Sequence, residues 1–367
     1  MAPAKSIARV FEQNYNDSVE PVLVNGFEEA NPIIKYIIED GYRNLQAKAT
    51  WFYEALYVLF KFNFIAGFYN RLISFFIKPY LRKVFRSTKP DKIIIFHFFL
   101  IEPAYSVIKE LGMHIPLITV VTDPYTAHPL WFFREDQNFI VFSERLKSHC
   151  LQRGINNENI NVFPFILSDR FSKPMEANKI SGLKKEMGFS PDKKIVLILG
   201  GGDGIPKGFR ILKTLAQRLN NIEIAIVCGK NDSLYKKAEK LKEESGNADI
   251  KIYGYVDFIF ELLNISDLVI TKCGASTFME IVMSKKIPLI INYIWEQEKG
   301  NMEYLVSKKM GIYETSIKKL PGVINSLLDN PDKYSLYIDN INKESLQNGN
   351  IKVAEFINNF NITQRIS

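Results

Sequence analysis

Cysteine is scarce in this 367-residue chain. Cys150, Cys228 and Cys273 are odd in number, far apart and without a CxxC pair. That excludes a disulfide framework and a zinc site, and makes a reducing compartment the natural setting. No cluster of metal-ligating residues is visible, so no metal is expected. The first residues, MAPAKSIARVF, lack the apolar core of a signal peptide. Long hydrophobic runs are missing too. The longest apolar region, Trp51 to Ile77, is interrupted by Glu54, Lys61 and Arg71, whereas a span needs about 20 largely apolar residues. Neither a P-loop nor GxGxxG is present.

What remains is a globular composition, 47% apolar and 24% charged, long enough for two domains. The net charge of +7 favours anionic partners without choosing among them. Nucleic acid has only this charge behind it and is not expected as a partner. The aromatic content is concentrated at residues 51 to 87, WFYEALYVLFKFNFIAGFYNRLISFFIKPYLRKVFRS. Between Lys61 and Lys92 stand eight basic residues and one acid, Asp91. Two core helices with a solvated basic end are one reading. A helix lying on an anionic bilayer is the other, with rings in the interface and cations on headgroups. On that reading Trp51, Phe52, Phe60, Phe64, Arg71, Lys78, Arg82 and Lys83 touch membrane or acceptor.

Helical spacing predicts a helix near residues 4 to 15 and another over Asn31 to Gly41; Val22 to Val24 reads as a strand. Strands and helices alternate from Lys92 to Phe165 and, after a linker at Phe171 to Asn178, again from Lys194 to Asp329. Such alternation means two α/β domains with parallel sheets, and ligands bind at the carboxyl ends of such strands. The expected division is 1–170, 180–345 and a C-terminal helix in 346–367 packing back on the first domain.

Five segments carry chemistry. In KIVLILGGGDGIPKGF a buried strand runs into Gly201, Gly202 and Asp203 before a helix. Glycines admit a phosphate close to backbone, and helix N-termini offer free N–H groups; a tight turn without ligand would use the same residues. In ITKCGASTFMEI, Gly274, Ala275, Ser276 and Thr277 open a second such helix, and Glu280 lies one turn inward, where a carboxylate can take both hydroxyls of a ribose. In NYIWEQEKGNMEYL, the polar residues Gln297, Glu298 and Asn301 suit a hydroxyl-rich ligand. Gly229 follows a strand, and the loop containing Tyr255 and Val256 can cover a base.

The order of these segments resembles the donor domain of glycosyltransferase family 28, a GT-B fold, and most closely its branch of monogalactosyldiacylglycerol synthases and bacterial diacylglycerol glucosyltransferases. VVTDPYTAHPLWFFREDQNFIVFSERLK, residues 120 to 147, is similar to that branch through Thr122, Asp123, His128, Trp131, Asp136, Ser143 and Glu144. The resemblance implies two Rossmann-like domains facing a cleft, with no cofactor beyond the UDP-sugar donor. It implies inverting transfer of a hexose from UDP-glucose or UDP-galactose to a lipid such as diacylglycerol, at the cytoplasmic face of a membrane as a peripheral protein. Such transfer needs a base for the acceptor proton and donors for the leaving UDP; Asp123 and His128 are the candidate bases. The family's opening strand and Gly-Gly-His turn are absent here, which predicts a truncated first sheet with an open edge or apolar slot. Two alternatives follow: a non-catalytic relative that binds nucleotide-sugar or acidic lipid, and a GT-B epimerase acting on UDP-GlcNAc.

Overall fold

The computed structural model describes residues 2–29, 50–60, 62–247 and 249–360; the helix expected over Asn31 to Gly41 lies outside them. The chain divides into two compact units. The first holds residues 1–168, 295–297 and 348–367, the second residues 169–294 and 298–347.

In the first unit, α1 (Ala2–Asn14), α2 (Thr50–Leu59) and α3 (Asn63–Thr88) precede a parallel sheet. The sheet is built by β1 (Ile93–Ile95), α4 (Ile101–Glu110), β2 (Leu117–Val120), β3 (Asn138–Val141), α5 (Glu144–Gln152) and β4 (Ile160–Val162). Strand order is β1-β2-β3-β4. The strands are short apolar runs, as buried parallel strands are. α3 seats Ala66, Ile73, Ile77, Leu81 and Phe85 in the core that also holds Phe98, Phe99, Trp131 and Phe139. The recurrence of those positions every three or four residues is the reason this 26-residue segment is a helix with one inner face. Each fully buried side chain of this size contributes about 1.5–3 kcal/mol.

Val22 to Val24, read as a strand from sequence, forms no strand pairing among the described residues. A cavity of about 480 Å³ runs between it and β1, lined by Ile7, Phe11, Val22, Leu81, Phe85 and Ile94 among others. Local β-propensity is present there, but among the described residues this cavity, and not a paired strand, lies between it and β1. β1 is thus an edge strand among the described residues.

The second unit starts with a single 3-10 turn (Asp169–Ser172) and α6 (Ala177–Glu186), which overlap the two ends of the linker read at Phe171 to Asn178. Then follow β5 (Lys194–Leu199), α7 (Gly208–Arg218), β6 (Ile222–Val227), α8 (Asp232–Ser245), β7 (Ile250–Tyr253), α9 (Ile259–Ile265), β8 (Leu268–Lys272), α10 (Ala275–Met283), β9 (Ile287–Asn292), α11 (Lys299–Ser307), β10 (Ile312–Tyr313), α12 (Leu320–Leu328) and α13 (Pro331–Lys343). All neighbours pair in parallel, in the order β10-β9-β8-β5-β6-β7. The winding reverses between β5 and β8, so the loops leaving these two strands diverge and open a crevice at their carboxyl ends. The last helix, α14 (Asn350–Asn359), returns to the first unit and packs on α1.

Candidate active site

The second unit brings most of the residues expected on the donor side to its switch point. Leu199 and Thr271 are register partners on β5 and β8, so the glycine loop and the Gly274 turn begin side by side. The glycines are there because backbone meets backbone. A Cβ at Gly200 would stand 2.3 Å from Ile205 backbone, and one at Gly229, whose φ is +58°, would stand 2.3 Å from the Gly202 carbonyl oxygen. The Lys230 N–H donates to that same oxygen at 2.8 Å. The loop holding Gly201, Gly202 and Asp203 is therefore seated on the loop after β6. Tyr255 is 69% exposed, with the Lys230 ammonium 5.8 Å from its ring centroid, and Val256 beside it is half-buried.

Gly274, which has no side chain to cap with, is the N-cap of α10. The first-turn N–H groups of Ala275, Ser276 and Thr277, half-buried residues, have no partner within the helix and carry the positive end of its dipole. Glu280 lies one turn inward. Its surface is only partly covered, yet it is packed among protein atoms, and desolvation pushes its carboxyl up to about 7.

The three polar residues after β9 do separate jobs. Glu298 is buried, accepts from the Ile294 N–H at 2.7 Å and faces Lys272 at 4.0 Å. Asn301 is fully buried; its Nδ2 donates to the Cys273 carbonyl at 3.0 Å, while Oδ1 has no partner. Both brace the turn that carries Gly274. Gln297 belongs with the first unit, where its Nε2 donates to Asp123 at 3.1 and 3.3 Å and its carbonyl accepts from Thr126.

In the first unit, Asp123 follows β2. The Trp131 indole donates to its Oδ2 at 2.9 Å, so indole and amide together orient a half-buried carboxylate. His128 is buried beside it and stacks on Phe98, ring centroids 4.7 Å apart and 9° from parallel. Its Nδ1 accepts the Leu130 N–H at 3.2 Å. Burial, then the neighbouring His97, lowers its pKa to about 3. Asp136 is held by Arg134 and Tyr105. Ser143 caps α5 and donates to the Pro124 carbonyl, which ties the Asp123 loop to that helix. A cavity of about 490 Å³ next to this loop is lined by Tyr57, Tyr125, Thr126, Arg145, His149 and Arg153. Sequence reasoning missed Trp131 and Gln297 as the donors that aim Asp123. The signal for Trp131 was its indole N–H, which seeks an acceptor when the ring is buried.

The residues expected at a membrane spread over α2 and α3. The side chains of Trp51 and Phe52 lie outside the described set. Phe60 turns inward onto His128 and Tyr69, whereas Phe64 is 87% exposed. Lys78 and Arg82 both pair with Glu110, and Lys83 pairs with Glu29. Arg71 is exposed and makes no ion pair among the described residues. No described helix is long and apolar enough to cross a membrane, and no group of three metal-ligating side chains occurs among the described residues.

The comparisons fit this arrangement. Residues 1–164 match the monogalactosyldiacylglycerol (MGDG) synthase family, and residues 195–353 the glycosyltransferase family 28 C-terminal domain. The processive diacylglycerol beta-glucosyltransferase of Bacillus cytotoxicus is 28% identical over 308 residues, covering 82% of this chain and 76% of that one. Monogalactosyldiacylglycerol synthase 1 of Arabidopsis thaliana is 25% identical over 338 residues, 88% of this chain and 61% of that one. Among solved structures, HepE of Anabaena in complex with UDP-glucose superposes with a TM-score of 0.56 at 16% identity, covering 77% of this chain and 81% of that one. UDP-GlcNAc 2-epimerase of Neisseria meningitidis gives 0.58 at 16% identity, over 78% and 80%. These two structures speak to the GT-B fold alone, since transferase and epimerase share it. With both of its halves matched, the chain is a GT-B glycosyltransferase and belongs to the family 28 branch that includes the monogalactosyldiacylglycerol synthases.

Proposed function

We propose that this enzyme moves a hexose from UDP-glucose or UDP-galactose to the free hydroxyl of diacylglycerol, with inversion, as a peripheral protein at the cytoplasmic face of a membrane. The observation that carries the reading is the paired cradle at the β5/β8 switch point: a glycine loop beside a helix start whose N–H groups no side chain caps. Diphosphate is the ligand such a cradle suits, because several backbone donors and a helix dipole meet its charge without a metal. Glu280, one turn inside, accepts from the ribose hydroxyls. The Tyr255 loop covers the base, Gln297 is the amide of the third segment left to meet the sugar, and Glu298 and Asn301 brace the Gly274 turn beneath it.

Asp123 is the base in this reading. As the acceptor oxygen bonds to the anomeric carbon, Asp123 takes the hydroxyl proton. The bond from that carbon to the diphosphate oxygen breaks, and its electron pair leaves with UDP. His128 is the poorer candidate, since an imidazole with a pKa of about 3 and one nitrogen already accepting a backbone N–H holds a proton weakly. It shapes the loop instead. Incubation with labelled UDP-glucose or UDP-galactose and diacylglycerol vesicles tests the proposal. Labelled glycolipid with release of UDP is expected. UDP binding without any glycolipid from either donor would refute it and favour a binding-only relative.

A further inference from the structure

α3 has a second apolar face that the fold leaves unused. Opposite its buried stripe stand Phe64, Phe68, Leu72 and Phe75, which are 87%, 68%, 44% and 72% exposed. Their spacing of four, four and three residues makes one continuous line along the helix. Phe62, just before the helix, is also exposed, at 60%. A contiguous aromatic face of this kind marks a place of contact.

Charge selects the partner. From Ala55 to Pro90 the chain has no Asp or Glu and seven Lys or Arg residues. A second copy meeting this face symmetrically would bring Arg71 against Arg71, with no carboxylate between Ala55 and Pro90 to meet it. A bilayer interface suits both the rings and the cations, and a lipid acceptor has to be reached there. The cations nevertheless have unequal freedom. Lys78 and Arg82 are clasped by Glu110 of α4, and Lys83 by Glu29. Arg71 lies beside the aromatic line without an ion pair among the described residues.

We infer that α3 lies in the plane of the membrane interface with Phe64, Phe68, Leu72 and Phe75 inserted and Arg71 at the headgroups, and that hydrocarbon burial rather than headgroup charge holds it there. Lys78, Arg82 and Lys83 act within the protein, fastening α3 to its neighbours. The inference deepens the proposed lipid-acceptor function and rests on it for the choice of partner. It also explains how the acceptor comes to the site. Tyr69 on the inner side of α3 meets Phe99 at 5.5 Å, Phe99 meets Phe98 at 4.5 Å, and Phe98 stacks on His128. A run of three rings, Tyr69, Phe99 and Phe98, thus joins the inner side of α3 to His128 in the loop that follows Asp123.

The test is co-sedimentation of the full chain with phosphatidylcholine vesicles containing diacylglycerol, with and without phosphatidylglycerol, at about 0.1 and 0.5 M salt. Removing three rings in F64S/F68S/F75S should weaken vesicle binding about 100-fold or more. K83E should change it less than about threefold, as should the higher salt. Loss of binding at high salt or without phosphatidylglycerol, with the triple variant still bound, would overturn the inference. So would a wild-type dimer that the triple variant turns into a monomer in the absence of lipid. Dispersed short-chain diacylglycerol supplies the control: wild type and triple variant should glycosylate it equally, and a loss in the variant would mean that these rings serve the acceptor site itself. Vesicle binding with no turnover of either acceptor would instead strike at the proposed function and leave the insertion face standing.

Discussion

Glu280→Gln separates what this carboxyl does for the fold from what it does for the ligand. Desolvation raises the Glu280 pKa from 4.5 to about 7. The folded state therefore holds this proton more tightly than the unfolded chain. Wild-type stability from this group is fully present below about pH 4.5 and is lost as the pH rises through about 7. At about 1.4 kcal/mol per pH unit, the loss is about 3 kcal/mol for a fully enclosed carboxyl. Part of Glu280 is open to solvent, which brings the figure to about 1–2 kcal/mol. Glutamine keeps the shape and cannot ionise. The variant should thus melt like wild type near pH 5 and above it near pH 8, by roughly 2–8 °C on the usual scale for a domain.

Donor binding should move the other way. If the carboxylate accepts the ribose hydroxyls, wild-type affinity for UDP-glucose rises between about pH 6 and 8 as Glu280 ionises. The glutamine variant should bind about 1–3 kcal/mol more weakly at about pH 8, the scale of lost hydrogen bonds to a charged group, and show no such rise. Isothermal titration with the intact nucleotide-sugar is the suitable assay, because its diphosphate does not titrate in this window as free UDP does. A variant that is more stable and binds more weakly at high pH is the signature of a group strained for function. Unchanged donor affinity would refute the ribose assignment. A stability difference independent of pH would refute the claim that burial strains the carboxyl.

Asp123→Asn should lower turnover about 10²–10⁴-fold while donor affinity by titration stays within about twofold; retained turnover would remove Asp123 from the role of base. Gly229→Ala forces a side chain toward the Gly202 carbonyl at an unfavourable φ, and should cost about 2–4 kcal/mol of stability in denaturant melts together with donor binding. Asn301→Ala leaves the Cys273 carbonyl without its buried donor and should destabilise the second unit by about 1–3 kcal/mol. Donor binding lost without any change in melting would instead make Asn301 a ligand contact.

Which parts of this were legible in the sequence follows from how local their causes are. KIVLIL of β5 reads as a central strand because six apolar residues in a row suit a strand buried on both faces, and its bounds need no knowledge of neighbours. β10, only Ile312 and Tyr313, exists through its pairing with β9, and nothing local announces it. Val22 to Val24 fails for the opposite reason, since its propensity is local and its missing partner is not. The glycine positions were readable because only glycine tolerates backbone 2.3 Å from a would-be Cβ.

The amides were harder to read. Asn301 and Gln297 offer the same donors whether they meet a sugar or the protein. The Cys273 carbonyl that takes one, 28 residues away, and the Asp123 carboxylate that takes the other, 174 residues away, are brought up only by the fold. The basic residues of α3 pose the same problem: Lys78, Arg82 and Lys83 look like headgroup ligands until Glu110 and Glu29 are seen beside them. The aromatic line was read only in part: the sequence reading picked out Phe64 but grouped it with Phe60, which turns inward onto His128 and Tyr69, and left out Phe68 and Phe75. Sequence therefore reports well on residues whose role is fixed by backbone space or periodicity, and poorly on polar side chains whose role depends on which of several equivalent partners the fold delivers. For this enzyme the consequence is specific: the glycine loop and helix start proposed to hold phosphate could be picked out from the chain alone, whereas the orientation of Asp123, the proposed base, set by Trp131 from within the same loop and by Gln297 from far along the chain, could not.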